Sequence, residues 1–161
     1  MTWQPARIED IDAMIQLTAE YYLQELDGVL TINLNKLAER LAHSIVNQNF
    51  RPESETLQCA WQEHRLVAWT WLSRGRSTDY IDEEVAEAHM LHISLDLSPK
   101  TRIKLIKETL ESWISWCRIL GIPVLASTTV RADSAAFMEL HRRRGFLVRG
   151  SHAFFNVKEW K

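Results

Sequence analysis

The chain has 161 residues, 46% of them hydrophobic and 25% charged, which fits one ordinary globular domain long enough to bury a core. A net charge of -2 and a pI of about 6.3 argue against a general nucleic-acid binder, and two distant cysteines, Cys59 and Cys117, imply neither a disulfide framework nor a zinc site. The opening "MTWQPARIEDIDAM" lacks the charged-then-apolar order of a secretory signal and no apolar run is long enough to cross a bilayer, so the expectation is an intracellular protein, in a cell's cytoplasm or in a virion.

No repeat, low-complexity tract or linker divides the sequence, which reads as a single domain over 1–161. "TWQPAR" reads as a short first strand. "IEDIDAMIQLTAEYYLQEL" follows as a helix, with Ile11, Met14, Ile15, Thr18 and Tyr22 at helical spacing and Asp10 as its cap. "NLNKLAERLAHSIVNQN" is a second helix, striped by Leu34, Leu37, Leu41 and Ile45 and capped by Asn33. "TLQCAWQ" and "LVAWTWLS" form a hairpin through "EHR", with Trp69 and Trp71 on one face and Ala68, Thr70 and Leu72 on the other. "DEEVAEA" reads as an acidic, solvated connection. "HMLHISLDL" is the next strand, with Leu91, Ile93 and Leu95 opposite Met90, His92, Ser94 and Asp96.

The longest helix runs through "KTRIKLIKETLESWISWCRIL". Its expected buried stripe is Ile103, Ile106, Leu110, Trp113, Ile114 and Cys117, and Gly121 with Pro123 stops it. "VLASTTV" reads as a buried strand, "DSAAFMELHRRRG" as a short helix, and "FLVRGSHAFFNV" as a closing hairpin. The resulting order, β-α-α-β-β-β-α-β-α-β-β, predicts an α/β layer with helices packed on a mixed sheet.

That order, the opening "PARIEDIDAMIQL" and the segment "VRADSAAFMELHRRRGF" resemble the GNAT superfamily of N-acetyltransferases, whose end segment is usually written V-x-x-x-N-x-x-A-x-x-x-Y-x-x-x-G-F. The resemblance implies the acyl-CoA N-acyltransferase fold, a mixed central sheet with helices on both faces. For an active member it also implies acetyl-CoA as cofactor and a small-molecule or protein amine as acceptor. It further implies a glycine-rich loop opening the long helix, whose backbone N–H groups and helix dipole hold the cofactor pyrophosphate.

Aligned on that helix, the cradle falls on "SPKTRI". Ser98 stands where Arg or Gln is usual, Thr101 and Ile103 stand at glycine positions, and no glycine occurs between Gly75 and Gly121. A plain structural reading covers the same residues: Ser98 caps the helix and Pro99 takes its first position. Lys100 and Arg102 are the side chains that can still offer charge to a phosphate. The family tyrosine, a common proton donor to the leaving thiolate, aligns with His141, and the usual asparagine aligns with Ser134. His92 is the candidate base, its plain alternative being a histidine hydrogen-bonded in the sheet. Glu20, Tyr21, Tyr22 and Glu25 lie where the family often builds its acceptor pocket, or form ordinary helix surface.

The cradle substitutions, with "LSPKTRIKLIKETLESW" and "FMELHRRRGF", also resemble a small GNAT-like internal virion protein of short-tailed phages. The leading expectation is therefore a GNAT-fold protein with a degenerate acetyl-CoA site, phage-encoded, non-catalytic or virion-associated, with virion or host proteins as partners. Two rivals are an active acetyl-CoA-dependent N-acetyltransferase and a nucleic-acid contact module using Arg142, Arg143, Arg144 and Arg149.

Overall fold

The structure, a computed structural model, describes residues 1–26, 31–75, 82–129 and 134–149. Its elements in chain order are β1 (Thr2–Pro5), a 3-10 turn (Ile8–Asp10), α1 (Ile11–Leu26), α2 (Leu34–Phe50), β2 (Glu55–Gln62), β3 (Arg65–Arg74), β4 (Val85–Ile93), α3 (Pro99–Leu120), β5 (Val124–Ser127) and α4 (Ala135–Arg143). The five strands form one sheet in the order β1-β2-β3-β4-β5. Pairing is antiparallel through β4, and β5 joins β4 in parallel after the α3 crossover, as a parallel neighbour requires. Among the described residues, no helix is long and apolar enough to cross a membrane.

Helices cover both faces of the sheet. On one, Met14, Leu17, Leu41 and Ile45 of α1 and α2 pack with Leu57, Cys59, Trp69 and Trp71. On the other, Leu110, Trp113 and Cys117 of α3 pack with Leu72, Ala86 and Ala88, and Leu105 packs with Ala60, Val67 and Ala68. The period-2 split of β3, tryptophans one way and small residues the other, thus feeds both halves of the core. The buried indoles on the α1 side are satisfied: Trp69 Nε1 donates to Thr18 Oγ1 at 3.2 Å and Trp71 Nε1 to Glu55 Oε2 at 2.9 Å.

Local signals fix the element ends. Asn33 Oδ1 accepts the Lys36 N–H at 2.9 Å, and Gly121, at φ 69°, ends α3 in the left-handed conformation that glycine adopts without strain. Asp10 acts one step earlier than its expected role. Its carboxylate accepts the Arg7 N–H at 2.8 Å and closes the 3-10 turn that leads into α1.

Three expectations are corrected. "VAEA" is no solvated connection; it is the first half of β4, held between β3 and β5. β5 is no buried strand: Val124 is 41% exposed and the rest half-buried, because β5 is short and meets β4 over only four residues. The α3 stripe is Leu105, Thr109, Leu110, Trp113 and Cys117, whereas Ile103 is 43% exposed and Ile106 and Ile114 are half-buried. The helix carries a second apolar edge, rotated from the first, and periodicity alone cannot say which edge meets the sheet. In the expected closing hairpin, 146–149 belong to no strand and 150–161 lie outside the described residues.

Candidate active site

Strands β4 and β5 pair from Val85–Val124 to Ala88–Ser127 and then part. One residue later β4 carries a bulge. Trp71 faces Met90 and Leu72 faces Ala88, so His89 is an extra residue between them. The bulge exchanges the two faces of the strand. Before it Ala86 and Ala88 pack toward α3; after it Leu91 and Ile93 do, while Met90 and His92 turn to the α1 side.

A cavity of about 430 Å³ opens where the strands part. Five consecutive residues of β4, 89–93, line it. Side chains of a strand alternate between faces, so five in a row can border one cavity only along the strand's edge, with its main-chain N–H and C=O groups. The lining also includes Tyr22 of α1 from one side of the sheet and Ile106 and Trp113 of α3 and Phe137 of α4 from the other. The cavity is therefore a slot through the sheet, reached from both faces.

The outer mouth of the slot is the start of α3. Ser98 Oγ accepts the Thr101 N–H at 3.2 Å and Pro99 takes the first helical position, the plain cap expected from the sequence. Arg102 N–H already donates to Ser98 O at 3.0 Å. Of the residues aligned with the pyrophosphate cradle, Arg102 and Ile103 line the cavity, together with Pro99; Ser98, Lys100 and Thr101 do not. Ser134 sits at the start of α4, where its carbonyl accepts from Met138, and it does not line the cavity either. Among the described residues, the buried Arg102 Nε and Trp113 Nε1 have no hydrogen-bond partner, and both residues border the slot.

The two candidate histidines differ. His92 lines the slot and its ring stacks on Trp69, centroids 5.1 Å apart, on the α1 side that Tyr22 also borders. His141 is 1% exposed and does not border the slot. Its expected place on an exposed basic helix end is corrected: the ring turns inward and packs edge-on against Phe137 and Phe146, at 4.4 and 4.9 Å. Nδ1 lies 2.9 Å from the Phe137 carbonyl oxygen and Nε2 3.0 Å from Ser127 Oγ. Burial pushes its pKa below the ordinary imidazole value, opposed in part by the Phe137 bond. It therefore cannot deliver a proton into the slot directly. Its way in is Ser127, which lines the slot. Sequence reasoning missed Ser127, because nothing in "VLASTTV" marks one hydroxyl among three.

Other groups have structural assignments. Cys59 is fully buried and its thiol is pushed up to about 12, first by burial and then by Asp10; burial raises Cys117 too, so neither offers a thiolate at neutral pH. Tyr22 is raised by burial. The side chains of Tyr21 and Glu25 lie outside the described residues, and Glu20 is exposed. The basic end of α4 is matched by acids: Arg143 reaches Glu139 at 3.0 Å, Arg142 reaches it at 3.6 Å, and Arg144 pairs with Glu111. Those pairings leave a poor phosphate-binding stripe.

No protein-family model matches the chain, and no curated protein matches it in sequence. Solved structures do match. An aminoglycoside 6'-N-acetyltransferase of Acinetobacter haemolyticus is similar with a TM-score of 0.69 at 11% identity, over 97% of each chain. A tetramutant of the BH1408 protein of Bacillus halodurans is similar with a TM-score of 0.71 at 13% identity, over 98% of this chain and 100% of that one. A ribosomal-protein-alanine N-acetyltransferase of Brucella melitensis gives 0.63 at 11% identity, over 98% and 100%. The chain has the GNAT, or acyl-CoA N-acyltransferase, fold.

Proposed function

We propose that this chain binds an acyl thioester by its pantetheine arm in the slot between β4 and β5 and passes the acyl group to an amine. The observation that carries this reading is the slot itself. Its wall is the edge of β4, whose main-chain groups suit the amides of a pantetheine arm. Its two mouths, one by α3 and α4 and one by α1, allow donor and acceptor to approach from opposite faces. The structural neighbours named as N-acetyltransferases support the same reaction class. His92, in the slot and on the α1 side, is placed to accept the amine proton.

The nucleotide end of such a donor is held weakly. The first turn of α3 is closed by its own cap, side chains stand where glycines would let phosphates reach the backbone, and Pro99 supplies no N–H. What remains is charge on Lys100 and Arg102, screened at physiological salt, where the Debye length is about 8 Å. Acetyl-CoA should bind no tighter than roughly 0.1 mM, or about -5.5 kcal/mol. Isothermal titration compares acetyl-CoA with S-acetyl-pantetheine. Affinities within about threefold of one another support binding through the arm. Micromolar, salt-insensitive affinity for acetyl-CoA alone would point to a strong phosphate site elsewhere, and no binding of either thioester would end the reading.

A second reading is favoured by the closed first turn of α3: a GNAT-fold protein that has given up catalysis and serves as a structural or virion-associated component, phage-encoded. It predicts no thioester binding and no turnover, so the same titration separates the two.

A further inference from the structure

Ser127 and His141 form a hydrogen-bonded pair whose direction is fixed by its surroundings. A backbone carbonyl can only accept, so the hydrogen between His141 Nδ1 and Phe137 O belongs to Nδ1. The neutral ring then has its lone pair on Nε2, and at 3.0 Å the Ser127 hydroxyl is the donor. This is the arrangement that activates a serine: a base at the hydroxyl proton, and the base itself oriented from its far nitrogen. The orienting group here is a main-chain carbonyl. Phe137 and Phe146 clamp the ring from two sides, so the imidazole is held in place before any ligand enters. Ser127 is the last residue of β5, at the point where the strands part, and it lines the slot.

We infer that Ser127 is a nucleophile that takes the acyl group from the thioester as a covalent ester, with His141 as its base. This rests on the slot holding an acyl thioester. Ser127 Oγ bonds to the thioester carbonyl carbon while its proton passes to His141 Nε2. The carbon–sulfur bond then breaks, and the thiolate leaves as a thiol with the proton returned by His141. In the second half, the amine attacks the ester carbon, His141 takes its proton and hands it to Ser127 Oγ as the carbon–oxygen bond breaks. Water in place of the amine gives the carboxylic acid by the same proton path. Atoms and charges balance in each half, and no oxidant or metal is required. His141 acts throughout from outside the slot, which accounts for a completely buried histidine keeping one nitrogen on a slot-lining hydroxyl.

The test uses p-nitrophenyl acetate, which needs no pantetheine contact, beside S-acetyl-pantetheine. Wild-type protein should release a burst of p-nitrophenolate approaching one equivalent per chain, with one acetyl group located on Ser127 by peptide mass mapping. Ser127→Ala should abolish both. His141→Gln should slow the burst by about 100-fold or more. Ser127→Cys keeps a nucleophile of similar size and should still be acetylated, which guards against a misfolded alanine variant. Acetylation elsewhere, or a burst unchanged in Ser127→Ala, overturns the assignment. Labelling of Ser127 by the ester but not by the thioester leaves the nucleophile standing and removes the thioester reading instead.

Discussion

The inner end of the slot and its outer mouth are built on opposite plans. Inside, Ser127, His141 and the Phe137 carbonyl form a chain of specific bonds enclosed by aromatic rings. Outside, Ser98, Pro99, Lys100 and Thr101 form the start of an ordinary helix, with the cap directed at its own backbone and the cations in water. A buried polar chain is costly unless every member is satisfied, so its presence calls for an explanation; a capped helix end stabilises itself and calls for none. In a site of this fold, then, chemistry and cofactor grip are separable, and here the structure concentrates its specific interactions at the chemical end.

Substitutions at the two ends test that contrast. The largest effect belongs inside. His141→Ala removes a buried ring, opens a cavity between Phe137 and Phe146 and strands the Ser127 hydroxyl, and should cost about 3 kcal/mol in urea unfolding. The same residue gives the contrast a pH signature. Its folded-state pKa is lowered, so below the ordinary imidazole value of about 6.5 the unfolded chain binds the proton that the folded chain refuses. Its contribution to stability is therefore complete above that value and declines as the pH falls through it. Stability of the wild type should drop more steeply from pH 7 to 5 than that of His141→Gln, and equal slopes would count against a neutral buried ring.

Next in size is His92→Ala, expected to lower amine acylation by about tenfold while leaving the p-nitrophenyl acetate burst in place. Loss of both would merge the two histidines into one function. At the mouth, Ser98→Ala should cost about 1 kcal/mol of stability through the lost cap, with turnover unchanged. Smallest of all, Lys100→Ala with Arg102→Ala should weaken acetyl-CoA by less than about threefold and flatten its salt dependence. A loss far beyond that would give the mouth the specificity denied to it here.

The sequence carried most of the scaffold. Alternation in "LVAWTWLS" assigned both faces of β3 correctly, and Asn33, Ser98 with Pro99, and Gly121 each ended an element where capping chemistry places them. These are local signals, and local signals survive in a string. The site was less legible. His141 drew notice through alignment with a family tyrosine, yet its basic neighbours Arg142, Arg143 and Arg144 suggested an exposed end, because a helix hides which of its faces meets the fold. Ser127 and His141 lie 14 residues apart on a strand and a helix, and only the tertiary fold brings them together. Ile103 and Ile106 counted as core by period but border the slot, since a ligand cleft and a core are equally apolar on paper.

The bulge at His89 makes β4 behave like a text with one inserted letter. Upstream of it, even-numbered residues face α3; downstream, odd-numbered ones do. Deleting residue 89 would leave composition, charge and hydrophobicity almost untouched, yet it would shift the reading frame of every side chain that follows. His92 would be delivered to the α3 side, and Leu91 and Ile93 would lose their places against Trp113 and Leu105. A loss of one residue in the connection around Asp82, which no strand pairs with, has no comparable phase to corrupt. Within this slot, tolerance to insertions and deletions should therefore follow strand phase and not distance from the reacting atoms.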